Sequence, residues 1–431
     1  MENKLRYKFS ENPNVADLES GLFQQYTVDR GINSSRAVSF FAEGQANSFI
    51  NLSQCYVKTV FRVVKSDGSA LGDADSVFPT ENFGTNLWSQ VNISLNNSAL
   101  PPGNDYAYTA FLIDLLGASP EAREAVMKPL AGWEAVGYSS SKIADALPAS
   151  YSTNKAKAKG SNLITVYDRI HSDFLMTCSQ LLPSRMRLGI TLTRSKDEFV
   201  LGCDMTTMTD TYKIEMMSVS LFVRREYLNP AARSLAEREL ADGGKLFYQR
   251  LQTLAFPCPE GSMSFAWYNC LGGFAPTRAF LAVVSQEAYF GSLSRTSNYL
   301  ESAGISTVRF CLDGRDIMAE PYQTTFVYDE NGATNLSESD ALSPFQGFCQ
   351  TLGTMHAPRA HMGVKYDSFK DGCLVFAVAL DHSEGRMAAV AGSFDIHMQF
   401  KTKTKEAYMV LLMAEMPKTI AFDGQRQITH I

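Results

Sequence analysis

A chain of 431 residues has room for two to three domains of ordinary size. Hydrophobic residues make up 45% and charged residues only 19%, which excludes a disordered chain, and 29 glycines with 16 prolines lack the triplet period of collagen. The net charge of −6 argues against dedicated binding to a polyphosphate backbone, which needs a basic surface.

The opening Met1-Glu2-Asn3-Lys4-Leu5-Arg6 has no apolar core of a secretory signal. The longest apolar runs, at 373–380 and 407–414, fall far short of the roughly 20 residues that span a bilayer. The expectation is a chain made in the cytosol, with no membrane insertion and no specific nucleic-acid binding. Its eight cysteines include no CxxC pair and several lie in apolar runs, so they are expected as buried, reduced thiols.

Residues 1–35 are weakly periodic and suit an extended N-terminal arm. From residue 36 the dominant signal is apolar–polar alternation in short segments. Residues 56–64 read as a β-branched strand closed by Asp67-Gly68; residues 88–95 put Val91, Ile93 and Leu95 on one face before Asn96-Asn97 turns the chain. Asp105 is placed to cap a helix whose Tyr108, Phe111, Leu112, Leu115 and Leu116 recur at helical spacing as far as Gly117. Ser119-Pro120-Glu121 opens a second helix, which Pro129 is expected to stop. Residues 132–161, with Ser139-Ser140-Ser141 and the trio Lys155, Lys157 and Lys159, read as a long exposed loop. Alternation resumes at 186–194 (Leu188, Ile190, Leu192) and at 213–223 (Val219, Leu221, Val223).

Asn229-Pro230 starts a helix that carries an Arg233/Glu237 pair and ends at Gly243-Gly244. Standing between two groups of strands, it reads as the connector, and limited proteolysis near Gly243-Gly244 is expected to separate two similar halves. Strands follow at 246–256, 278–284, 307–312, 373–380, 394–400 and 407–413. Asp313-Gly314 has the residue types of a type I′ hairpin turn, in which both central residues take positive φ. Ser343-Pro344 opens a fourth helix with Phe345, Phe348, Cys349 and Leu352 on one stripe and Gly353 at its end. Each half thus shows strands, an interrupting helix and closing strands. The expected fold is all-β with short inserted helices: two tandem eight-stranded antiparallel jelly rolls, or double jelly roll. Its parts would be an N-terminal arm (1–35), a first jelly roll (36–228), a connecting helix (229–244) and a second jelly roll (245–431).

A metal-dependent jelly-roll enzyme of the cupin kind would need a His-x-His pair. The histidines at 171, 356, 361, 382, 397 and 430 supply none, and His356 and His361 read as loop histidines. There is no Gly-x-Ser-x-Gly elbow, phosphate loop or dinucleotide fingerprint. Asp73-Ala74-Asp75 lacks the later ligands of a calcium loop and reads as a solvated turn. Lys155, Lys157 and Lys159 read as a solvated face; Lys401, Lys403 and Lys405 read as protection of a strand edge. Trp88, Trp133 and Trp267 are too dispersed to favour a sugar platform over core packing. The sequence therefore predicts no enzyme, no catalytic, cofactor-binding or metal residues, and no cofactor.

Ordered blocks carry a resemblance. They run from Phe83-Gly84-Thr85-Asn86-Leu87-Trp88 through His171-Ser172-Asp173-Phe174, Thr193-Arg194-Ser195-Lys196-Asp197 and Ser220-Leu221-Phe222-Val223-Arg224-Arg225 to Asn298-Tyr299 and Leu312-Asp313-Gly314. Leu374-Val375-Phe376-Ala377, Met398-Gln399-Phe400 and Val410-Leu411-Leu412-Met413-Ala414-Glu415 complete them. In this order, over about residues 48–428, the chain resembles the double jelly-roll major capsid proteins of adintoviruses and the Maverick/Polinton elements. It departs from them in residues 1–35 and 132–161. The resemblance implies a virion protein that self-assembles as pseudo-hexameric homotrimers into an icosahedral shell. A penton protein and minor capsid proteins are the implied partners, with assembly in the host cytoplasm or nucleus. The competing reading from residues alone is a carbohydrate- or receptor-binding β-sandwich protein without catalysis.

Overall fold

The computed structural model describes residues 18–29, 31–133, 140–145, 147–148, 150–204, 211–327, 335, 337–355, 364–380 and 390–430. The alternating segments become strands, and the main strands form two sets of eight. The first set is β1 (Leu18–Val28), β2 (Ala37–Ala42), β3 (Phe49–Lys65), β4 (Trp88–Leu95), β5 (Ser98–Ala99), β6 (Ile164–Arg169), β7 (Leu188–Arg194) and β8 (Tyr212–Leu228). The second is β9 (Gly244–Cys258), β10 (Ser264–Trp267), β11 (Arg278–Ser285), β12 (Ile305–Leu312), β13 (Arg315–Asp316), β14 (Phe376–Ala379), β15 (Phe394–Phe400) and β16 (Tyr408–Phe422). Hydrogen bonding follows the orders β1-β8-β3-β6 and β2-β7-β4-β5 in one half, β9-β16-β11-β14 and β10-β15-β12-β13 in the other. Adding eight to any label gives its counterpart, so one topology occurs twice.

The repeat extends to the turns. Asn96 and Asn97 (φ 46° and 68°) join β4 to β5, and Asp313 and Gly314 (φ 51° and 75°) join β12 to β13, both as the two-residue hairpins read from their chemistry. Both halves then lengthen the same connection. Between β5 and β6 lie α1 (Tyr106–Gly117) and α2 (Tyr151–Ala158); the halves are joined by α3 (Pro230–Glu239), and α4 (Leu342–Thr351) lies between β13 and β14.

Several local expectations need correction. Asp105 does not cap α1: it sits at φ 50° and its carboxylate instead accepts from the Tyr289 hydroxyl at 2.6 Å. Pro129 does not stop the second helix. A π-turn at Arg123–Met127 precedes it, the helix continues through Lys128–Ala131, and Gly132 ends it at φ 70°. Within the supposed loop at 132–161, Tyr151–Ala158 is helical, with Asn154 donating to the Pro79 carbonyl (3.1 Å) and Ala158 fully buried. Glu237 pairs with Arg426 (3.2 Å) and Ser184 rather than Arg233, because α3 packs its flank against the end of the chain.

The junction expected to be open to proteolysis is clamped. Asn229 caps α3 through the Ala232 N–H (2.8 Å), and Arg426 donates to the Leu240 carbonyl at 2.6 Å. Gly243 has φ 105°, and a Cβ there would lie 2.2 Å from the Phe422 carbonyl oxygen. At the other end of the first half, the segment expected as an extended arm is extended, and over Leu18–Val28 it pairs with β8. Arg225, buried, fastens it by donating to Gln24, Tyr26, Ser48 and the Glu43 carbonyl.

The cores follow from register. In β8, Ile214 and Met216 face inward, a bulge between Met216 and Ser218 shifts the phase, and Val219, Leu221 and Val223 then face inward too. Without that extra residue, one of the two sets would face solvent. In β16 every residue from Tyr408 to Ala414 is buried. Strands covered on both faces read as continuous apolar runs, and the cover here comes from the first half.

Candidate functional site

That cover is α1, a wedge between the barrels. Tyr106 and Ala110 belong to the first core, whereas Ala107, Tyr108, Phe111, Leu112 and Leu115 belong to the second. In return Leu246 and Tyr248 of β9 and Ile420 and Phe422 of β16 complete the first core. Thr109 donates to Thr253 across the joint at 2.7 Å. The outer edge of β9 is sealed by side chains that imitate a strand. Thr177 accepts from the Gln249 N–H (2.9 Å), while Gln180 accepts from Phe247 N–H (2.8 Å) and donates to the Lys245 carbonyl (3.1 Å). Arg250 adds bonds to Asp173 (2.8 Å) and to the Pro101 and Pro102 carbonyls (3.0 and 2.7 Å).

A second clasp lies in the segment around Ser141. Ile143 N–H donates to the Ser294 carbonyl and Thr296 N–H to that of Ser141, each at 2.9 Å. Arg295 holds Glu287 (3.0 Å), Glu406 (2.5 Å) and the Ser141 hydroxyl (2.9 Å). Beside them burial, with Glu406 nearby, pushes the Glu301 carboxyl up to about 7.

The cluster most like an active site is His171, Asp114 and Arg169. His171 Nε2 lies 2.9 Å from Asp114 Oδ1, Arg169 pairs with the same carboxylate, and the His171 N–H donates to Tyr106 Oη at 3.1 Å. Burial would raise Asp114, but His171 and Arg169 hold it below the usual carboxylate range, while burial pushes neighbouring Asp168 up to about 6. His171 and Asp114 are each 1% exposed, and the cavity beside them is about 20 Å³, room for one water. This dyad ties α1 to the first barrel.

Other residues weighed in the sequence also take structural places. Asp75 is not in a solvated turn. It is buried and accepts from Gly72 N–H (2.7 Å) and Tyr212 (2.8 Å), with Lys65 at 3.4 Å, and these outweigh burial to keep it below its ordinary range. Asp73 is exposed and pairs with Lys159. Lys401, Lys403 and Lys405 are exposed in the turn after β15, which Thr404 pins by bonding Pro259 and Ser262. Trp88 and Trp133 are buried, and Arg123 lies over the Trp133 ring at 4.5 Å. Seven cysteines are buried and Cys349 is half-buried. Burial pushes the Cys55 and Cys270 thiols up to about 12. His356, His361 and His382 lie outside the described residues. Among the described residues no group of three or more His, Cys, Asp or Glu could hold a metal ion, and no helix is long and apolar enough to cross a membrane.

Two clefts are open to solvent. One, about 470 Å³, runs between α4 and the edge strand β14, lined by Tyr322, Gln346, Gln350 and Val378. The other, about 190 Å³, lies at the joint. The outer face of β1-β8-β3-β6 is bare and aromatic: Phe222 stacks on Tyr56 at 4.7 Å, and Phe23 meets Tyr56 edge-on at 5.5 Å.

No protein-family model and no curated protein matches the sequence. Solved structures do. A chain of the Sputnik virophage, determined by cryo-electron microscopy, matches with a TM-score of 0.61 at 9% identity, over 100% of this chain and 92% of that one. The fold is a double jelly roll. The Faustovirus major capsid protein matches with a TM-score of 0.53 at 10% identity, over 96% of this chain and 92% of its own. The mavirus major capsid protein gives 0.51 at 11% identity, over 98% and 92%. The structural neighbours of this double jelly roll are viral major capsid proteins.

Proposed function

We propose that this chain is a viral major capsid protein that assembles as a pseudo-hexameric homotrimer and tiles an icosahedral shell. The sequence blocks favour the adintovirus and Maverick/Polinton type. The observation that carries the reading is likeness to capsid chains along the whole chain, both barrels and their joint included. The joint suits the role. A tile with six barrels keeps its shape only if the two barrels of each chain hold a fixed angle, and here two cores interlock through α1. Function is then shape and self-complementarity, with penton and minor capsid proteins as partners. The domain division follows the repeat: an arm, a first barrel to residue 228, α3 as connector and a second barrel.

The test is the solution mass of the purified chain, followed by electron microscopy of the same sample. A species near 143 kDa, three times the 47.6 kDa chain, or hexagonal tiles is the expected result. A stable monomer at every salt and pH would overturn the reading and leave a β-rich binding module.

A further inference from the structure

The 190 Å³ cleft at the joint is lined from both barrels, by Ser89, Ser195 and the first turn of α1 on one side and Tyr289 and Phe290 on the other. Its walls are rings. Tyr108 stacks on Tyr289 with centroids 5.6 Å apart and meets Phe199 edge-on at 5.8 Å. Its polar groups are left incomplete by the protein. Asp105 gives α1 no side-chain cap, so the first-turn N–H groups receive none from it. Tyr108 is 2% exposed, and its buried hydroxyl has no hydrogen-bond partner among the described residues; the same holds for the Ser195 hydroxyl. Buried hydroxyls in native folds are ordinarily paired.

We propose that this cleft binds a small phenol-like molecule: one aromatic ring carrying one neutral hydroxyl. The size follows from the volume, since a cavity of about 150 Å³ accommodates benzene. The ring matches walls built from Tyr108, Tyr289, Phe199 and Phe290. A hydroxyl both donates and accepts, as the two unpartnered hydroxyls of Tyr108 and Ser195 require. A neutral ligand fits because Asp105 and Lys196 share the cleft with opposite charges. Bound there, the ligand touches both barrels and stabilises their docked arrangement by mass action.

The test is a ¹⁹F NMR titration of the whole chain with 4-fluorophenol and, separately, fluorobenzene. Saturable binding of 4-fluorophenol is expected, with fluorobenzene about five- to tenfold weaker and a similar loss for 4-fluorophenol in Tyr108→Phe. Tyr108→Phe deletes only an unpartnered hydroxyl, so it is expected to unfold no earlier than the parent protein. Ser195→Leu, which fills the cleft from a half-buried position, is expected to abolish binding. The proposal is overturned if 4-fluorophenol shows no saturable binding in the millimolar range. It is equally overturned if both probes bind alike, or if a folded Ser195→Leu protein binds as before.

Discussion

The sheets β1-β8-β3-β6 and β9-β16-β11-β14 share one topology and differ in what lies outside them. In the first, outward residues of β3 and β8 alternate with core residues and are partly open to solvent: Tyr56, Lys58, Arg62 with Glu215, and Phe222. In the second, β11 and the first half of β16 are buried on both faces, and α1 is the lid. The edges differ in the same way. The outer edge of β9 is closed by Thr177, Gln180 and Arg250 with Asp173, whereas β1 is paired only through β8 among the described residues and shows Leu22 and Phe23 to solvent. A tandem duplication makes this inequality unavoidable. One barrel can cover its twin, but nothing within the pair is left to cover the first. Bare aromatic and edge surfaces therefore gather on the first barrel, where further copies have most to gain by packing.

The largest expected effect comes from unsealing β9. Arg250→Ala leaves Asp173 and two proline carbonyls without their buried partner, and about 3 kcal/mol of unfolding free energy is expected to go. Hydrogen exchange at residues 245–249 should then rise toward that of β1; unchanged protection would mean that the seal does not depend on Arg250. The clasp around Ser141 gives the next effect. Because the folded-state pKa of Glu301 is raised to about 7, chiefly by burial, its neutral form is the one the fold favours. Its contribution is complete below the ordinary carboxylate range and fades as pH rises through 7. Glu301→Gln, which keeps the neutral shape, should therefore lose less stability than the parent protein between pH 5 and 8. The gap should approach roughly 3 kcal/mol in urea unfolding at higher pH. Parallel curves would remove Glu301 as the titrating group. The smallest effect on the monomer is expected at the open edge. Leu22→Lys should leave the unfolding midpoint within about 0.5 kcal/mol while lowering the assembled fraction in sedimentation. Full assembly would show that copies meet elsewhere.

What the sequence made legible was local. Asn96-Asn97, Asp313-Gly314, Ser119 and Asn229 each work through atoms a few residues away, so their turns and caps could be read directly. Asp105 could not, because Tyr289, its partner, lies 184 positions along the chain. Asp75 is settled by Tyr212, 137 positions away, and composition alone gives a solvated turn. The apolar run at 407–414 was visible, but its shortness served only to exclude a membrane. A run without period 2 also marks a strand buried on both faces, and that was the one signal of the joint. The arrangement of Ser141, Arg295 and Glu301 left no such trace, since serine, arginine and glutamate in loops look the same whether clasped or free.

Interlocked cores also govern the order in which the molecule can be made. Synthesis completes α1 while about 300 residues, β16 among them, are still to come. Until then Phe111, Leu112 and Leu115 have no second barrel to enter, and the first barrel lacks Leu246, Tyr248, Ile420 and Phe422. Neither half can close as the ribosome delivers it, in contrast to chains whose domains fold one after another. On a crowded message, the naked helix of one nascent chain faces the unfinished barrel of its neighbour. A chaperone that shelters α1 until the last strand emerges would separate finished subunits from tangled ones.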